Sequence, residues 1–216
     1  MPEFNEIQFD KVLSEGSAEL GLILGEQERT QLLHYLQLFI KWNQAYNLSA
    51  IRDPEEMLYK HILDSLTIVP QLQAHSADKI IDVGTGGGLP GIPLAICCED
   101  KRFTLLDSAG KKTRFLLQTL HTLGLKNVNV ENRRVETFLP DERFDIVVSR
   151  AFASIDDMLS GCKHLLVDDG EFWAMKGVFP QDELSELGSC YKVDSCSSFQ
   201  VPGDIGERCL VVICAV

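Results

Sequence analysis

The chain has 216 residues, of which 45% are hydrophobic and 24% charged, with a formal net charge of −12. These values are ordinary for a globular protein with one sizeable core. No stretch approaches the ~20 apolar residues of a membrane span, and the N-terminus lacks the basic and apolar regions of a signal peptide. The seven cysteines are odd in number and form no C-x-x-C pair, and the five histidines show no metal-binding spacing. We therefore expect a cytoplasmic protein with reduced thiols and no zinc site.

The first part of the chain has helical periodicity and no strand pattern. Within residues 26–46, apolar side chains recur every three or four positions, which predicts an amphipathic helix. Asp53 followed by Pro54 is typical of a helix N-terminus, and we expect a second helix from there to about Val69. We therefore predict a helical N-terminal extension over residues 1–70.

After the extension, strand-like and helical segments alternate, which is typical of a parallel sheet with helices on both faces. Two final strands, separated by a turn at 203–206, predict an antiparallel hairpin. The expected class is α/β, with a mostly parallel seven-stranded sheet over residues 71–216 that forms one compact unit with the extension. We predict strands at 79–83, 102–107, 127–131, 144–149, 171–176, 198–202 and 208–215, and helical segments near 91–98, 110–123, 135–138, 154–166 and 180–188.

The segment KIIDVGTGGGLPG, residues 79–91, contains a short apolar strand that ends in an acid and the glycine-rich loop that follows it, in which Cβ atoms are sparse. Such a loop permits positive φ angles and close approach to a ligand, and this position is typical of a nucleotide-like cofactor site. The spacing alone fits two classes. Counted from Gly84 it fits an S-adenosylmethionine site, whereas Gly86, Gly88 and Gly91 satisfy the G-x-G-x-x-G of a nicotinamide or flavin site.

Two charged residues follow strands at the carboxyl ends, where ligands of open α/β sheets bind. Asp107 lies 23 residues after Gly84, an offset that suits an acid on the cofactor's ribose. Asp107 could equally cap the helix that begins near Ala109. Arg150, just past the fourth strand, could contact the cofactor's carboxylate or the substrate, or could pair with Asp82 or Asp107.

Basic side chains are concentrated in one part of this acidic chain. Residues 100–150 carry ten basic and seven acidic side chains, whereas residues 1–70 carry five and eleven, and residues 151–216 four and eleven. Taken singly, each basic residue is better explained as a solvated surface charge. Together, beside a cofactor site, they form the kind of patch that a polyanionic substrate needs.

Five segments together closely resemble the bacterial 16S ribosomal RNA guanine-N7 methyltransferases, also called glucose-inhibited division protein B. They are WNQAYNL at 42–48, HILDS at 61–65, DVGTGGGLPGIP at 82–93, SRAFA at 149–153 and MKG at 175–177. The resemblance runs from about residue 20 to the C-terminus. It implies a Rossmann-like class I methyltransferase fold with S-adenosylmethionine as cofactor. It also implies methylation of N7 of one guanine, nucleotide 527, in 16S ribosomal RNA, within the 30S subunit or an assembly intermediate.

The resemblance assigns cofactor contacts to Gly84 and Leu89 in the glycine loop, to Val135 and Glu136 beside the adenine, to Arg150, and to Asp107 on the ribose. We add Gly86 and Gly88 from the same loop. Gly87 departs from the family, in which relatives often carry a larger residue or proline, and we expect it to loosen the loop. The doubled Arg133-Arg134 leaves open which arginine takes the family role.

Guanine N7 carries an exposed, unprotonated lone pair, so its methylation requires alignment and no general base, and we name no catalytic residue. His61 and Asp64, three apart on a helix, are expected to be structural or to line the site. Phe152 could stack on a splayed base or pack in the core. Three other functions stay open: a small-molecule methyltransferase, a nicotinamide-dependent oxidoreductase and a non-catalytic RNA-binding protein. We expect a monomer, because no oligomerisation motif is visible, and no membrane partner.

Overall fold

The computed structural model describes residues 4–203 and 205–216. Its strands are β1 Lys79–Val83, β2 Arg102–Leu106, β3 Val128–Glu131, β4 Phe144–Ser149, β5 Leu166–Lys176, β6 Tyr191–Gln200 and β7 Glu207–Ala215. They form one sheet in the order β3-β2-β1-β4-β5-β7-β6. The first five strands are parallel, and β7 runs antiparallel to both β5 and β6. The predicted α/β class, strand number and C-terminal hairpin are confirmed.

The N-terminal part is helical, as expected, and further helices lie between the strands. The helices are α1 Glu6–Glu19, α2 Glu26–Tyr46, α3 Pro54–Met57, a π-helical segment Leu58–Leu63, α4 Asp64–Leu66, α5 Val69–Ala74, α6 Gly91–Cys97, α7 Gly110–Leu123, α8 Ile155–Cys162 and α9 Gln181–Ser185, with 3₁₀ turns at Val135–Thr137 and Lys163–Leu165. Two expectations fall partly outside the described residues. The first is the N-terminus of the extension, where Met1, Pro2 and Glu3 are not described. The second is the turn between the last two strands, where Asp204 is not described.

The start of α3 follows the predicted capping pair. The Asp53 side chain accepts a hydrogen bond from the Glu56 backbone N–H at 2.9 Å, and Pro54 occupies the first helical position. The prediction of one continuous helix from Pro54 to about Val69 is wrong. The chain becomes π-helical at Leu58–Leu63, and α4 ends at Leu66 before α5 begins. Because a π turn is wider than an α turn, it shifts the register of the side chains that follow it.

The sheet separates two apolar clusters. Ile80 and Ile81 are adjacent in β1 and point to opposite faces, as expected for a strand. On the first face, the N-terminal helices pack with α6 and α7 around fully buried side chains that include Tyr35 and Phe39. On the second face, α8 covers β4 and β5. Residues of the N-terminal extension and of the sheet therefore share one continuous core.

Two strands are longer than predicted. β6 begins at Tyr191 and not at 198, and β5 begins at Leu166 and not at 171. β6 is an edge strand whose side chains are mostly exposed, so residues 192–198 are mostly polar and lack the alternation of a half-buried strand. In β5, the acidic Asp168 and Asp169 before Gly170 mimic a turn.

All seven cysteines are free, and Cys97, Cys98, Cys162 and Cys209 are buried. Cys214 is half-buried. Over the described residues, every helix is too short or too polar to traverse a lipid bilayer. The same part of the chain holds no group of three or more histidine, cysteine or carboxylate side chains placed to bind a metal.

Candidate cofactor and acceptor site

Two adjoining cavities open at the carboxyl ends of the central strands, and Gly84 and Ala151 line both. We call the smaller one, of about 320 Å³, the Asp107 cavity; its other walls include Leu106, Ser108, Lys112, Arg133, Arg134, Val135, Glu136 and Phe152. The larger one, of about 500 Å³, is the Asp64 cavity; its other walls include Phe39, Leu48, Ser49, Lys60, His61, Gly86, Leu89, Arg150, Lys176 and Arg208. This is the edge at which open parallel sheets bind ligands.

The glycine loop is fixed at both ends by Asp82. One carboxylate oxygen of Asp82 accepts hydrogen bonds from the Thr85 hydroxyl at 2.6 Å and from the Gly91 backbone N–H at 2.9 Å. Burial raises the pKa of Asp82 to about 6, although these two hydrogen bonds oppose the rise. The second oxygen, Oδ1, is buried without a partner among the described residues. Asp82 itself is buried and lines neither cavity, so its part in the site is to hold the loop.

Three glycines of the loop, Gly84, Gly86 and Gly88, have positive φ angles that favour glycine. Gly84 has φ of +73°, and a Cβ there would lie 2.8 Å from the Cβ of Ala151. Gly86 has φ of +62°, and a Cβ there would point into open space, 4.0 Å from the Lys112 ammonium. A side chain at Gly86 would therefore occupy the space into which the loop faces. The backbone forms a cradle for a ligand at this point.

Gly87 does not loosen the loop as expected. The buried Tyr35 hydroxyl donates a hydrogen bond to the Gly87 carbonyl at 2.7 Å. A Cβ at Gly87 would lie 2.3 Å from Cε2 of Phe39, so the Phe39 ring fills the space that a larger residue would take. Both aromatic residues come from α2. The N-terminal extension thus holds the glycine loop directly.

Asp107 connects the glycine loop to the start of α7. Its Oδ2 accepts a hydrogen bond from the Gly86 backbone N–H at 2.9 Å, and its Oδ1 accepts one from the Ala109 N–H at 2.8 Å. The Lys112 ammonium lies 3.6 Å from Oδ2. Asp107 therefore tethers both the loop and the residue before α7. A carboxylate has about four acceptor positions, so acceptor capacity is left for ribose hydroxyls.

The remaining predicted contacts divide between the two cavities. Val135 and Glu136 lie on the 3₁₀ turn that faces Asp107 across the smaller cavity, while Gly86, Leu89 and Arg150 line the larger one. Phe152, half-buried, lines the Asp107 cavity and packs against the second apolar cluster. Gly88 lines neither cavity. A Cβ on Gly88 would meet Ile92 Cδ1 at 2.5 Å, so it faces the core.

Arg150 does not pair with Asp82 or Asp107. Its Nη1 donates to Asp64 Oδ2 at 2.5 Å, and Arg208 Nε donates to Asp64 Oδ1 at 2.6 Å. The Asp64 side chain is 6% exposed, and the two arginine side chains are 22% and 25% exposed. One carboxylate thus holds two guanidinium groups in the wall of the Asp64 cavity and leaves a net positive charge there. Asp64 therefore lines the cavity, as expected, and it orients both arginines there.

His61 lines the same cavity in its neutral form. Burial and, next, the nearby Arg150 charge lower the pKa of His61 to about 4. Its Nδ1 lies 3.0 Å from the Lys60 carbonyl and its Nε2 lies 2.8 Å from the Ser49 hydroxyl. With the proton on Nδ1, the ring donates to the carbonyl and accepts from Ser49. Both nitrogens are therefore engaged, and His61 is not a free acid or base.

Asn43, in the WNQAYNL segment, fixes the conformation of the connection that follows α2. Its side-chain amide donates to the Ile51 carbonyl at 2.8 Å and accepts from the Ser49 N–H at 2.8 Å. Arg52 donates to the Asn43 carbonyl at 2.6 Å and also contacts the Asn47 side chain. These bonds fold the connection after α2 so that Leu48 and Ser49 reach the Asp64 cavity.

Sequence reasoning missed three lining residues: Phe39, Lys176 and Arg208. Lys176 lies at the end of β5 and pairs with Glu183 at 2.9 Å. Arg208 lies at the start of β7, and because β7 is antiparallel to β5, its first residues lie at the edge where β5 ends. A charged residue opening an otherwise apolar antiparallel strand was a usable signal. Phe39 carried no such signal, because an apolar helix residue at this spacing indicates only a core position.

A more voluminous depression, about 840 Å³, lies against the outer strands β2 and β3. It is lined by Lys79, Arg102, Asn129 and the loop from Thr137 to Glu142, and by no residue of the glycine loop. Its Lys79 and Arg102 are ion-paired with Glu142 and Asp78. The two cavities at the carboxyl ends of the strands adjoin the glycine loop, and together they form the candidate site.

The strand order, the glycine loop after β1 and the acid after β2 define a class I methyltransferase fold. A putative O-methyltransferase from Klebsiella pneumoniae superposes with a TM-score of 0.58 at 14% identity, over 97% of this chain and 98% of that one. The N-methyltransferase NodS from Bradyrhizobium japonicum, solved with S-adenosyl-L-homocysteine, gives a TM-score of 0.54 at 13% identity, over 84% and 97%. At these identities the similarity concerns the fold alone.

The chain belongs to the GidB family, described as rRNA small subunit methyltransferase G, whose profile matches residues 28–211. A ribosomal RNA small subunit methyltransferase G from Saccharophagus degradans is 60% identical over 203 residues, covering 94% of this chain and 90% of the relative. The protein of that name from Cellvibrio japonicus is 51% identical over 205 residues, covering 94% of each. The predicted family is confirmed, and the protein is a methyltransferase.

Proposed function

We propose that this protein transfers the methyl group of S-adenosylmethionine to N7 of one guanine in 16S ribosomal RNA. The relatives' names support ribosomal RNA as the substrate class. The choice of N7 follows the resemblance to the guanine-N7 methyltransferases. One observation supports an acceptor that needs no deprotonation: the Asp64 cavity, where an acceptor would enter, contains no side chain free to act as a general base among the described residues.

Each candidate base in that cavity is engaged. Asp64 is held between two arginines, with donor–acceptor distances of 2.5 Å and 2.6 Å. His61 is neutral, with both ring nitrogens in hydrogen bonds. An acceptor that must lose a proton to become nucleophilic, such as a hydroxyl or an exocyclic amine, would need such a group. Guanine N7 presents a lone pair without deprotonation, so it suits this cavity.

The donor side also fits S-adenosylmethionine. In our proposal Asp107 binds the ribose hydroxyls, Val135 and Glu136 contact the adenine, and the Gly84–Gly86 backbone binds the amino acid portion; all of these residues line the two cavities or hold the glycine loop. The open cradle at Gly86 leaves room for a ligand group. When bound, S-adenosylmethionine supplies an electrophilic methyl group on a sulfonium. Because Gly84 and Ala151 line both cavities, a donor in one would adjoin an acceptor in the other.

The chain's own groups then work by alignment. The Asp64–Arg150–Arg208 group fixes one wall of the acceptor cavity and offers positive charge to a phosphate. Leu48, held by the Asn43 bonds, and the rigid glycine loop restrict the acceptor's position. Alignment of this kind accounts for many orders of magnitude of rate in bimolecular reactions. We further propose that the enzyme acts as a monomer in the cytoplasm, on the 30S subunit or on an assembly intermediate.

Radiolabel transfer tests the proposal. The protein is incubated with methyl-labelled S-adenosylmethionine and, in parallel, with 30S subunits, naked 16S RNA and a small-molecule extract from the same cells. We expect label in 16S RNA of the subunits. Label confined to the small molecules would contradict the RNA substrate. Calorimetry that finds NADH binding and no S-adenosylmethionine binding would contradict the cofactor.

A further inference from the structure

The most prominent aromatic feature outside the two cavities is a stacked pair at the end of α2. The rings of Trp42 and Tyr46 have centroids 4.9 Å apart and planes 29° apart. Trp42 is half-buried and contacts the Phe115 ring of α7 at 5.5 Å. Tyr46 is 38% exposed. The pair is therefore a braced platform with one side anchored in the core and the Tyr46 end in solvent.

The platform lies next to the acceptor cavity. Leu48, two residues after Tyr46, lines the Asp64 cavity. Two residues span at most about 7 Å of chain, so Tyr46 is within about one nucleotide's reach of the cavity wall. The Asn43 hydrogen bonds and the left-handed Asn47 fix the intervening turn. The distance between platform and cavity is thus set by the fold.

Four exposed basic side chains lie on the elements next to the platform, although the chain as a whole is acidic. Helices α2 and α7 run antiparallel: Gln31 near the start of α2 donates to the Leu123 carbonyl at the end of α7, and Trp42 contacts Phe115 nearer its start. The end of α2 therefore approaches the start of α7. Lys41 and Arg52 near the end of α2, and Lys111 and Arg114 in the first turns of α7, are exposed and have no carboxylate within 4.0 Å among the described residues.

Unpaired cations beside an exposed stacked ring are a combination that suits single-stranded RNA. Aromatic side chains stack on splayed bases, and lysines and arginines neutralise the adjacent phosphates. A protein partner would be expected to cover an apolar patch, with charges paired or excluded at its centre. Here Lys41 adjoins Trp42 in the chain, and Lys111 and Arg114 lie within about one helical turn of Phe115, which contacts Trp42.

We propose that Trp42 and Tyr46 form a stacking platform for a base of single-stranded RNA adjacent to the methylated guanine, with Lys41, Arg52, Lys111 and Arg114 contacting the flanking phosphates. The inference deepens the proposed function, because it names the part of the fold that binds the RNA beside the target. It needs no contribution from the cofactor.

Fluorescence tests the platform independently of methyl transfer. The protein has two tryptophans, and Trp173 is buried, so a Trp173→Phe variant reports on Trp42 alone. This variant is titrated with a mixed-sequence single-stranded RNA of about 12 nucleotides, within common site sizes. We expect Trp42 quenching that saturates. In the same background, Tyr46→Leu should weaken binding at least about 5-fold, whereas Tyr46→Phe should stay within about 2-fold.

Tyr191→Leu provides a matched control, because Tyr191 pairs with Ala215 at the far edge of the sheet from the cavities. It should leave RNA affinity unchanged. In methyl transfer to 30S subunits, Tyr46→Leu should raise KM about 5-fold or more, with kcat and S-adenosylmethionine affinity unchanged.

The outcomes separate the two proposals. Quenching without any methyl transfer by the wild type would support the platform and contradict the proposed function. Methyl transfer that Tyr46→Leu leaves unaltered, with no Trp42 quenching, would overturn the platform and leave the function intact. If Tyr46→Leu impaired transfer to 30S subunits while Trp42 failed to respond to RNA, the platform would contact a ribosomal protein, and the RNA-stacking proposal would be wrong.

Discussion

Asp64→Asn is the perturbation that most directly probes the acceptor cavity. The substitution keeps the size of the side chain, removes its charge, and replaces one acceptor oxygen with an NH₂ donor. Asp64 contacts guanidinium donors through both oxygens, at 2.5 Å and 2.6 Å. An amide can accept from only one of them, so Arg150 or Arg208 loses its partner and faces a donor.

The magnitude follows from burial. Hydrogen bonds to charged groups are worth about 1.5–3 kcal/mol each, and a lost partner leaves a charge unpaired. The arginine side chains are 22% and 25% exposed, so water compensates in part. We expect Asp64→Asn to lower the free energy of unfolding by about 2–3 kcal/mol. Displacement of Arg150 should lower kcat/KM for 30S methylation about 100-fold, because small misplacements near a reacting centre have effects of this order.

The assay combines urea unfolding, calorimetric S-adenosylmethionine affinity and initial rates on 30S subunits. Asp78→Asn is the matched control. Asp78 pairs with Arg102, but both side chains are more than half exposed and lie away from the cavities. It should change stability by less than about 1 kcal/mol and leave the rate unaltered. Wild-type stability and wild-type kcat/KM for Asp64→Asn would refute the reasoning.

Three further predictions concern the loop, the histidine and the core. Gly86→Ala should cost about 1–2 kcal/mol, because φ is +62°, and should weaken S-adenosylmethionine binding at least about 10-fold in calorimetry by filling the cradle; unchanged affinity would remove Gly86 from the cofactor site. The His61 pKa falls from 6.5 to about 4 on folding, so the unfolded chain binds the proton first as pH drops. Relative to His61→Gln, the wild type should lose up to about 3 kcal/mol of unfolding free energy between pH 6.5 and pH 4, and a pH-independent difference would contradict neutral burial. Residues 1–70 and 71–216 should unfold in one urea transition by circular dichroism and by fluorescence, because one apolar cluster includes both; two separated transitions would indicate two units.

The elements with strong periodicity could be predicted from sequence. Helix α2 at Glu26–Tyr46 and strands β1 and β4 have the predicted bounds, because their apolar residues mark a single buried face or a fully buried strand. The exposed strand β6 could not be delimited, since an edge strand whose side chains face solvent needs no apolar alternation. The π-helical segment Leu58–Leu63 also leaves no local signature in the sequence.

In the candidate site, too, some contacts could be predicted from the sequence and others could not. The tether from Asp107 to Gly86 joins residues that flank neighbouring parallel strands, so strand order alone brings them close. The partner of Arg150 could not be deduced, because Asp64 lies 86 positions away on a helix of the extension. Arg208 is 144 positions from Asp64. Contacts between the extension and the sheet depend on how the whole core packs, and spacing along the chain carries no information about them.

The identity of the methylated nucleoside tests the central claim most directly. After transfer of labelled methyl groups to 30S subunits, the 16S RNA is digested to nucleosides and separated beside authentic 7-methylguanosine. The Asp64 cavity, whose carboxylate and imidazole are already engaged, favours an acceptor that needs no deprotonation. The proposed acceptor is guanine N7, so we expect a single labelled nucleoside that co-elutes with this standard. Label on a ribose hydroxyl, on an exocyclic amine or on a ring carbon would contradict it, because those acceptors must lose a proton that no free base in the Asp64 cavity can take.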